Sequence, residues 1–171
     1  MGRQSTEPLN FIRAQEISGQ WGVSVTCDLF NVNGRGEEGE MRPALIFMHG
    51  GGFVGGSKDQ FLGMASWLAL TTDALCATVE YRLAGQASCP APILDCLQVI
   101  KWLYDKQESL KICPDLFFLL GGSPGAQIAA MAMLDSRYAG EMFQPDNAIF
   151  LNGIYDMDDF YRRNPDEQKS I

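Results

Sequence analysis

The chain has 171 residues, 46% hydrophobic and 20% charged, with 13 basic against 21 acidic side chains and a net charge of −8. One domain of that length buries roughly two-thirds of the surface its unfolded chain exposes, and this composition excludes wholesale disorder. The acidic balance argues against nucleic acid as a partner, because neutralising phosphates needs clustered Lys and Arg.

Met1 to Asn10 is polar and holds no signal-peptide core. Gly2 and Thr6 stand where an N-myristoylation pattern puts them, but so short a pattern recurs by chance. No apolar stretch approaches the roughly 20 residues of a membrane helix, so no membrane partner is expected. Residues 1–22 read as an N-terminal extension, and 23–171 as the core domain. At its start Val23, Val25, Cys27 and Leu29 alternate with Ser24, Thr26, Asp28 and Phe30, the pattern of a half-exposed antiparallel strand over 23–32. Asn33-Gly34-Arg35-Gly36 then reads as a turn, with an acidic stretch through Glu40.

Beyond it the period changes. Four short apolar runs, 44–48, 75–79, 116–120 and 148–151, suit strands covered on both faces, which means a parallel sheet. Between them lie helical patterns. Residues 58–70 carry Phe61, Leu62, Ala65 and Leu68 on one side. Pro92 is placed to start a helix with Ile93, Leu97, Ile100 and Tyr104 at helical spacing, and 125–134 is rich in Ala and Met. Strand alternating with helix implies an open α/β sandwich whose site lies at the carboxyl ends of the strands. Trp21, Trp67 and Trp102 read as packing groups, and Asp95 as a first-turn charge suiting a helix dipole. Tyr81 and Arg82 read as ties between loops. Cys27, Cys76, Cys89, Cys96 and Cys113 are odd in number and show no C-x-x-C spacing. They read as buried free thiols of a reducing, cytoplasmic setting.

Two loops carry chemistry. The third run ends in Gly121-Gly122-Ser123-Pro124-Gly125, followed by a helix, which is the nucleophile-elbow pattern in its required context. Gly121 and Gly125 fit there because side chains would collide with the neighbouring strand and helix. The first run ends in His49-Gly50-Gly51-Gly52-Phe53-Val54-Gly55-Gly56. An acyl-transfer enzyme needs donors aimed at the oxygen that becomes negative, and bare glycine amides can supply them. Both loops follow strands of one parallel sheet, so both are expected on the same edge.

With His49-Gly50-Gly51-Gly52, Glu80-Tyr81-Arg82-Leu83 and Gly121-Gly122-Ser123-Pro124-Gly125 in place, the chain resembles esterases of the hormone-sensitive-lipase type. HGGGFVGGSK from His49 to Lys58, and the segment from Cys89-Pro90-Ala91-Pro92 to Asp95-Cys96, most resemble the feruloyl and acetyl-xylan esterase branch. The resemblance implies a three-layer α/β-hydrolase sandwich with a mostly parallel sheet, and by analogy makes residues 1–22 part of a cap over the site. It further implies Ser123 as nucleophile, the Gly51 and Gly52 amides as oxyanion hole, and His49, Gly50, Gly121 and Gly125 as supports. The substrate so implied is a small carboxylic ester, including acylated sugars, with no metal and no organic cofactor.

The sequence departs from that family in two ways. Its only histidine is His49, inside the oxyanion loop, whereas the fold places its acid and then its base after the nucleophile. Asp156, Asp158 and Asp159 read as a solvated, helix-starting loop rather than the acid. The chain is therefore expected to be C-terminally truncated and impaired as a hydrolase. Second, the residue after the nucleophile, an expected oxyanion donor, is Pro124, which has no N–H. A rival reading is a dinucleotide fingerprint, Gly50-x-Gly52-x-x-Gly55 with Glu80 on the ribose, although it leaves the elbow at Ser123 unexplained. Another is a phosphate-binding loop at Gly51–Lys58, whose lysine comes one residue late. A third is a non-catalytic relic of the fold. The strand at 148–151, as a sheet edge, is expected to favour self-association.

Overall fold

The computed structural model describes residues 10–19, 23–34, 39–135, 137, 145 and 147–165. Six strands form one sheet: β1 (Phe11–Ser18), β2 (Ser24–Phe30), β3 (Arg42–Met48), β4 (Leu75–Glu80), β5 (Ile112–Gly122) and β6 (Asn147–Leu151). Among the described residues four helices accompany them: α1 (Leu62–Thr72), α2 (Ala91–Asp105), α3 (Pro124–Leu134) and α4 (Met157–Arg163), with a 3-10 turn at Lys58–Phe61 leading into α1. The strand order is β1-β2-β4-β3-β5-β6. β4, β3, β5 and β6 run parallel to one another, as continuous apolar runs require when both faces are covered. β2 is antiparallel to both β1 and β4. This is the α/β-hydrolase fold.

The sheet separates two apolar layers. One joins Ile46, Met48, Val79 and Leu119 to Ile93, Leu97 and Ile100 of α2 and Ile128 and Ala129 of α3. The other joins Phe47, Cys76 and Leu120 to Ala65 and Ala69 of α1. The small residues of α3 permit close approach. A Cβ on Gly125 would stand 2.1 Å from the Met48 carbonyl oxygen, so the helix seats almost directly on β3.

Several expectations need correction. β2 is not half-exposed: Asp28 and Phe30 are as buried as Cys27 and Leu29. The reason is its interior position, with the Asp28 carboxylate accepting from Ala14 N–H at 2.7 Å and from Lys58 Nζ at 3.1 Å. Residues 11–18 of the expected extension are paired into the sheet as β1, and Trp21 lies outside the described residues. β6 is an edge strand with Ile149, Phe150 and Leu151 exposed, not a strand covered on both faces. Trp67 is 62% exposed on α1 rather than packed. Asp95 falls in the second turn of α2, where a bidentate pair with Arg82, at 2.7 to 3.1 Å, accounts for its burial. Cys89 is exposed, whereas Cys27, Cys76 and Cys96 are buried free thiols.

Candidate active site

Ser123 sits between the end of β5 and the start of α3 with φ 53° and ψ −118°. A side chain in that left-handed region is strained, and surrounding structure must hold it there. Three restraints do so. The Ser123 N–H donates to Leu151 O at 2.8 Å, fastening the elbow to the end of β6. The Ser123 carbonyl accepts from Ala126 N–H at 3.0 Å, closing the first turn of α3. Glycine at 121 removes a Cβ that would lie 2.2 Å from Gly125 O. The half-buried Ser123 hydroxyl has no hydrogen-bond partner among the described residues.

The glycine loop comes to meet it. A Cβ on Gly50 would lie 3.6 Å from Ser123 Cβ and 3.2 Å from Gly122 O, so the two loops are in van der Waals contact. Gly51 (φ +129°) and Gly52 (φ +62°) then turn the chain through conformations that favour glycine. Val54 and Gly55 N–H both donate to Gly51 O, at 3.2 and 2.9 Å, closing the loop on itself. No hydrogen bond engages the Gly51 or Gly52 N–H among the described residues.

His49 holds this loop from below. Its ring is fully buried and stacks on Tyr81, with centroids 4.1 Å apart and planes 9° from parallel. Nδ1 lies 2.8 Å from Gly50 O, and a carbonyl can only accept, so Nδ1 carries the proton. Nε2 is buried without a partner among the described residues. Burial lowers the pKa, against opposing contributions from the Gly50 hydrogen bond and Glu80, so the ring is neutral at pH 7. The Tyr81 hydroxyl donates to His49 O at 2.6 Å, which is the loop-tying role expected of it. The His49 Nε2, the nitrogen left to accept a proton, is buried and makes no hydrogen bond to the Ser123 hydroxyl among the described residues, so His49 is not placed as the base for Ser123.

Between the segment after the glycine loop, α2, α3 and α4 lies a cavity of about 260 Å³, lined among others by Phe53, Cys89, Ile93, Gln127, Met131 and Tyr161. Sequence reasoning missed all six as site residues. Only Gln127 left a signal, as the one polar side chain in the apolar run of α3. Pro124 is the first residue of α3, so it contributes shape but no donor. Glu80, the acid that the dinucleotide reading needs on a ribose, accepts the Lys58 N–H at 2.9 Å. No three His, Cys, Asp or Glu side chains group into a metal cradle among the described residues.

A parallel sheet carrying a strained serine between strand and helix, with a glycine loop pressed against it, defines the class as α/β-hydrolase. The comparisons with known proteins agree. Residues 45–170 match the family model for the alpha/beta hydrolase fold, and the chain belongs to that family, among its hormone-sensitive-lipase-like esterases. It is 34% identical over 95 residues to versiconal hemiacetal acetate esterase of Dothistroma septosporum, a match covering 56% of this chain and 29% of that protein. With esterase LipI of Mycobacterium tuberculosis it shares 32% identity over 98 residues, covering 57% of this chain and 31% of that one. Among solved structures, the carboxylesterase EstE1 from a metagenomic library superposes with a TM-score of 0.72 at 26% identity, over 88% of this chain and 49% of that one. A bacterial heroin esterase gives 0.71 at 26% identity, over 85% and 45%. The matches thus span about half of the solved relatives and a third or less of these two curated ones.

Proposed function

We propose that this chain carries the nucleophile half of a serine carboxylesterase, in which Ser123 attacks the ester carbonyl and forms an acyl-enzyme. The single observation that supports it is the contact between the Gly50 backbone and the Ser123 elbow. A carbonyl carbon seated on Ser123 would carry its oxygen toward the amides of Gly51 and Gly52, donors without internal partners. As charge develops on that oxygen they would stabilise it, and the N-terminus of α3 favours the same sign. The base and its orienting acid would come from residues outside this sequence, because the free Nε2 of its one histidine is buried and does not meet the Ser123 hydroxyl. The finer reading, an acylated-sugar ester of the feruloyl or acetyl-xylan kind, rests on the sequence from His49 to Lys58 and from Cys89 to Cys96.

Removing a triad member leaves a residual catalysis of about 10³–10⁴ over water, supplied by oxyanion hole and binding. An activated ester should therefore still acylate the serine slowly. Incubation with p-nitrophenyl acetate, followed by peptide mass mapping, is expected to find acetyl on Ser123 and none in Ser123→Ala. Equal acetylation of the two proteins, away from position 123, would refute the nucleophile. A second reading, a fold kept for binding without turnover, is favoured by one observation: Pro124 withholds the N–H that the residue after the nucleophile normally offers. It predicts that the cavity still takes ligand while no acetyl-serine forms.

A further inference from the structure

The esterase reading makes no use of the 3-10 turn at Lys58–Phe61, yet this turn touches both loops of the site. Gln60 Oε1 accepts from Gly50 N–H at 3.3 Å. Phe61 meets the elbow, its Cζ atom 3.4 Å from where a Cβ on Gly122 would stand. The same ring packs on Phe47 of β3, with centroids 5.4 Å apart. The glycine loop also closes beside Gln60. A Cβ on Gly56, at φ +95°, would stand 2.1 Å from Gly50 O, 2.6 Å from His49 Nδ1 and 2.9 Å from Gln60 Nε2. The turn that carries Gln60 is itself firmly held. Ser57 Oγ caps its start by accepting from Asp59 N–H at 3.3 Å. Lys58 N–H donates to Glu80 at the end of β4, and Lys58 Nζ donates to the buried Asp28 carboxylate of β2. Arg13 of β1 pairs with Asp59 at 3.0 Å. Three strands thus brace four residues.

Gly50 is therefore tethered through both of its backbone groups. His49 Nδ1 donates to its carbonyl, and Gln60 takes its N–H. That second bond withdraws the Gly50 amide from any substrate and leaves the next two amides, Gly51 and Gly52, as the ones without a partner among the described residues. Glycine loses more backbone freedom on being fixed than any other residue, so a run of three needs outside restraint to present its amides in one direction. Removing a tether lowers the fraction of molecules in which the loop is correctly set, and the apparent rate falls with that fraction. We infer that Gln60 is a positioning residue of the oxyanion loop, fixing Gly50 so that the Gly51 and Gly52 amides meet the carbonyl oxygen of an ester seated on Ser123. The inference rests on the esterase reading and adds to it a residue that touches neither the substrate nor the nucleophile.

The chain has one histidine, so ¹³C-carbonyl histidine combined with ¹⁵N-glycine marks the His49–Gly50 peptide alone in an NMR spectrum. Gln60→Met keeps the length of the side chain but offers only a weak sulfur acceptor. In it the Gly50 amide proton should move upfield and exchange faster with water. Gln60→Glu retains an acceptor oxygen and should keep that proton downfield. Gln60 is exposed, so the melting temperatures of the three proteins should agree. The second readout is acetylation of Ser123 by p-nitrophenyl acetate and by its thionoester analogue. In each, the serine oxygen bonds the acyl carbon, p-nitrophenolate leaves with the bonding pair, and the serine proton passes to solvent. The ester develops its charge on oxygen and the thionoester on sulfur, which gains less from well-placed amides. In Gln60→Met the maximal rate with the ester should fall roughly three- to ten-fold, the size of one hydrogen bond, at an unchanged half-saturating concentration. The thionoester rate should fall less. A Gly50 amide that does not move in Gln60→Met, or moves as far in Gln60→Glu, would overturn the inference. So would equal losses on ester and thionoester, the mark of a bond that only holds structure. No acetyl on Ser123 of the native chain removes the esterase reading and this role with it; acetylation indifferent to position 60 removes the role alone.

Discussion

Placing a methyl group on Gly125 is the sharpest test of how the elbow is built. Its Cβ would lie 2.1 Å from the Met48 carbonyl oxygen and 2.6 Å from both Met48 C and His49 O. Carbon contacts are comfortable from about 3.5 Å, so the shortfall against Met48 O exceeds 1 Å. All three obstacles are main chain, held in β3 and the loop it leads into, so no rotamer change relieves the clash. Overpacking of a core costs about 1–3 kcal/mol, and a backbone obstacle belongs at the upper end, about 3 kcal/mol. For a chain of this size each kcal/mol moves the melting temperature by about 2–4 °C, giving a fall of about 6–12 °C. Gly63→Ala is the paired control. That glycine lies inside α1 with open space where its Cβ would go, so alanine should stabilise by about 0.5–1 kcal/mol and raise the melting temperature by about 1–4 °C. Circular dichroism melts of the three proteins read both signs. A Gly125→Ala melt within about 2 °C of the native chain would show that α3 does not rest on β3 as described.

Other expectations can be checked on the same chain. With 5,5′-dithiobis(2-nitrobenzoate) near pH 8, Cys89 should react first because it is exposed, while Cys27 and Cys76, pushed up to about 12 by burial, stay inert until unfolding. Peptide mapping that found Cys27 labelled as fast as Cys89 would contradict the burial. The His49 pKa in the fold lies below its unfolded value of about 6.5. The unfolded chain then binds more protons as the solution is acidified, so this stabilisation is complete above about pH 6.5 and is lost as the pH falls toward the lowered folded value. His49→Phe keeps the stack on Tyr81 but cannot titrate, so its stability should fall less steeply from pH 7 to 5; parallel slopes in urea melts would refute this. Finally, β6 presents an edge with Ile149, Phe150 and Leu151 exposed, so light scattering should find self-association that Ile149→Lys reduces. A monodisperse monomer would count against it.

What could be read from the sequence followed from the length scale of the causes. The parallel strands were legible because a strand covered on both faces needs a continuous apolar run, and 44–48 and 75–79 are such runs. The elbow was legible because strand, glycines and helix are contiguous. β1 was not. It is mostly exposed, and the register shift between Ile12 and Gln15 breaks its alternation. Asp28, two strands of sequence away from any charge it needs, looked like an outward residue, and only the folded sheet brings Lys58 and Ala14 N–H to it. The cavity was hidden for the same reason: Phe53, Ile93, Gln127 and Tyr161 come from four segments that no local pattern links.

The distribution of backbone strain separates the structural turns from the working site. Asn31, Asp73 and Asn152 have positive φ, but Asn and Asp tolerate that region, and Asn31 is further tied to Asp73 through its amide. Ala14 sits within the irregular stretch of β1, and Lys111 turns the chain just before β5. Phe53 and Ser123 are different. Neither is a turn-forming residue type, and they lie 70 positions apart in sequence. Each is held by a hydrogen bond from another segment, Ala84 N–H to Phe53 O and Ser123 N–H to Leu151 O. Conformations of this kind cost on the order of 1–3 kcal/mol each and persist only where the surroundings over-determine them. At Ser123 that cost holds the hydroxyl at a strand-to-helix bend pressed against the Gly50 backbone, and at Phe53 it holds the residue that follows the glycine loop.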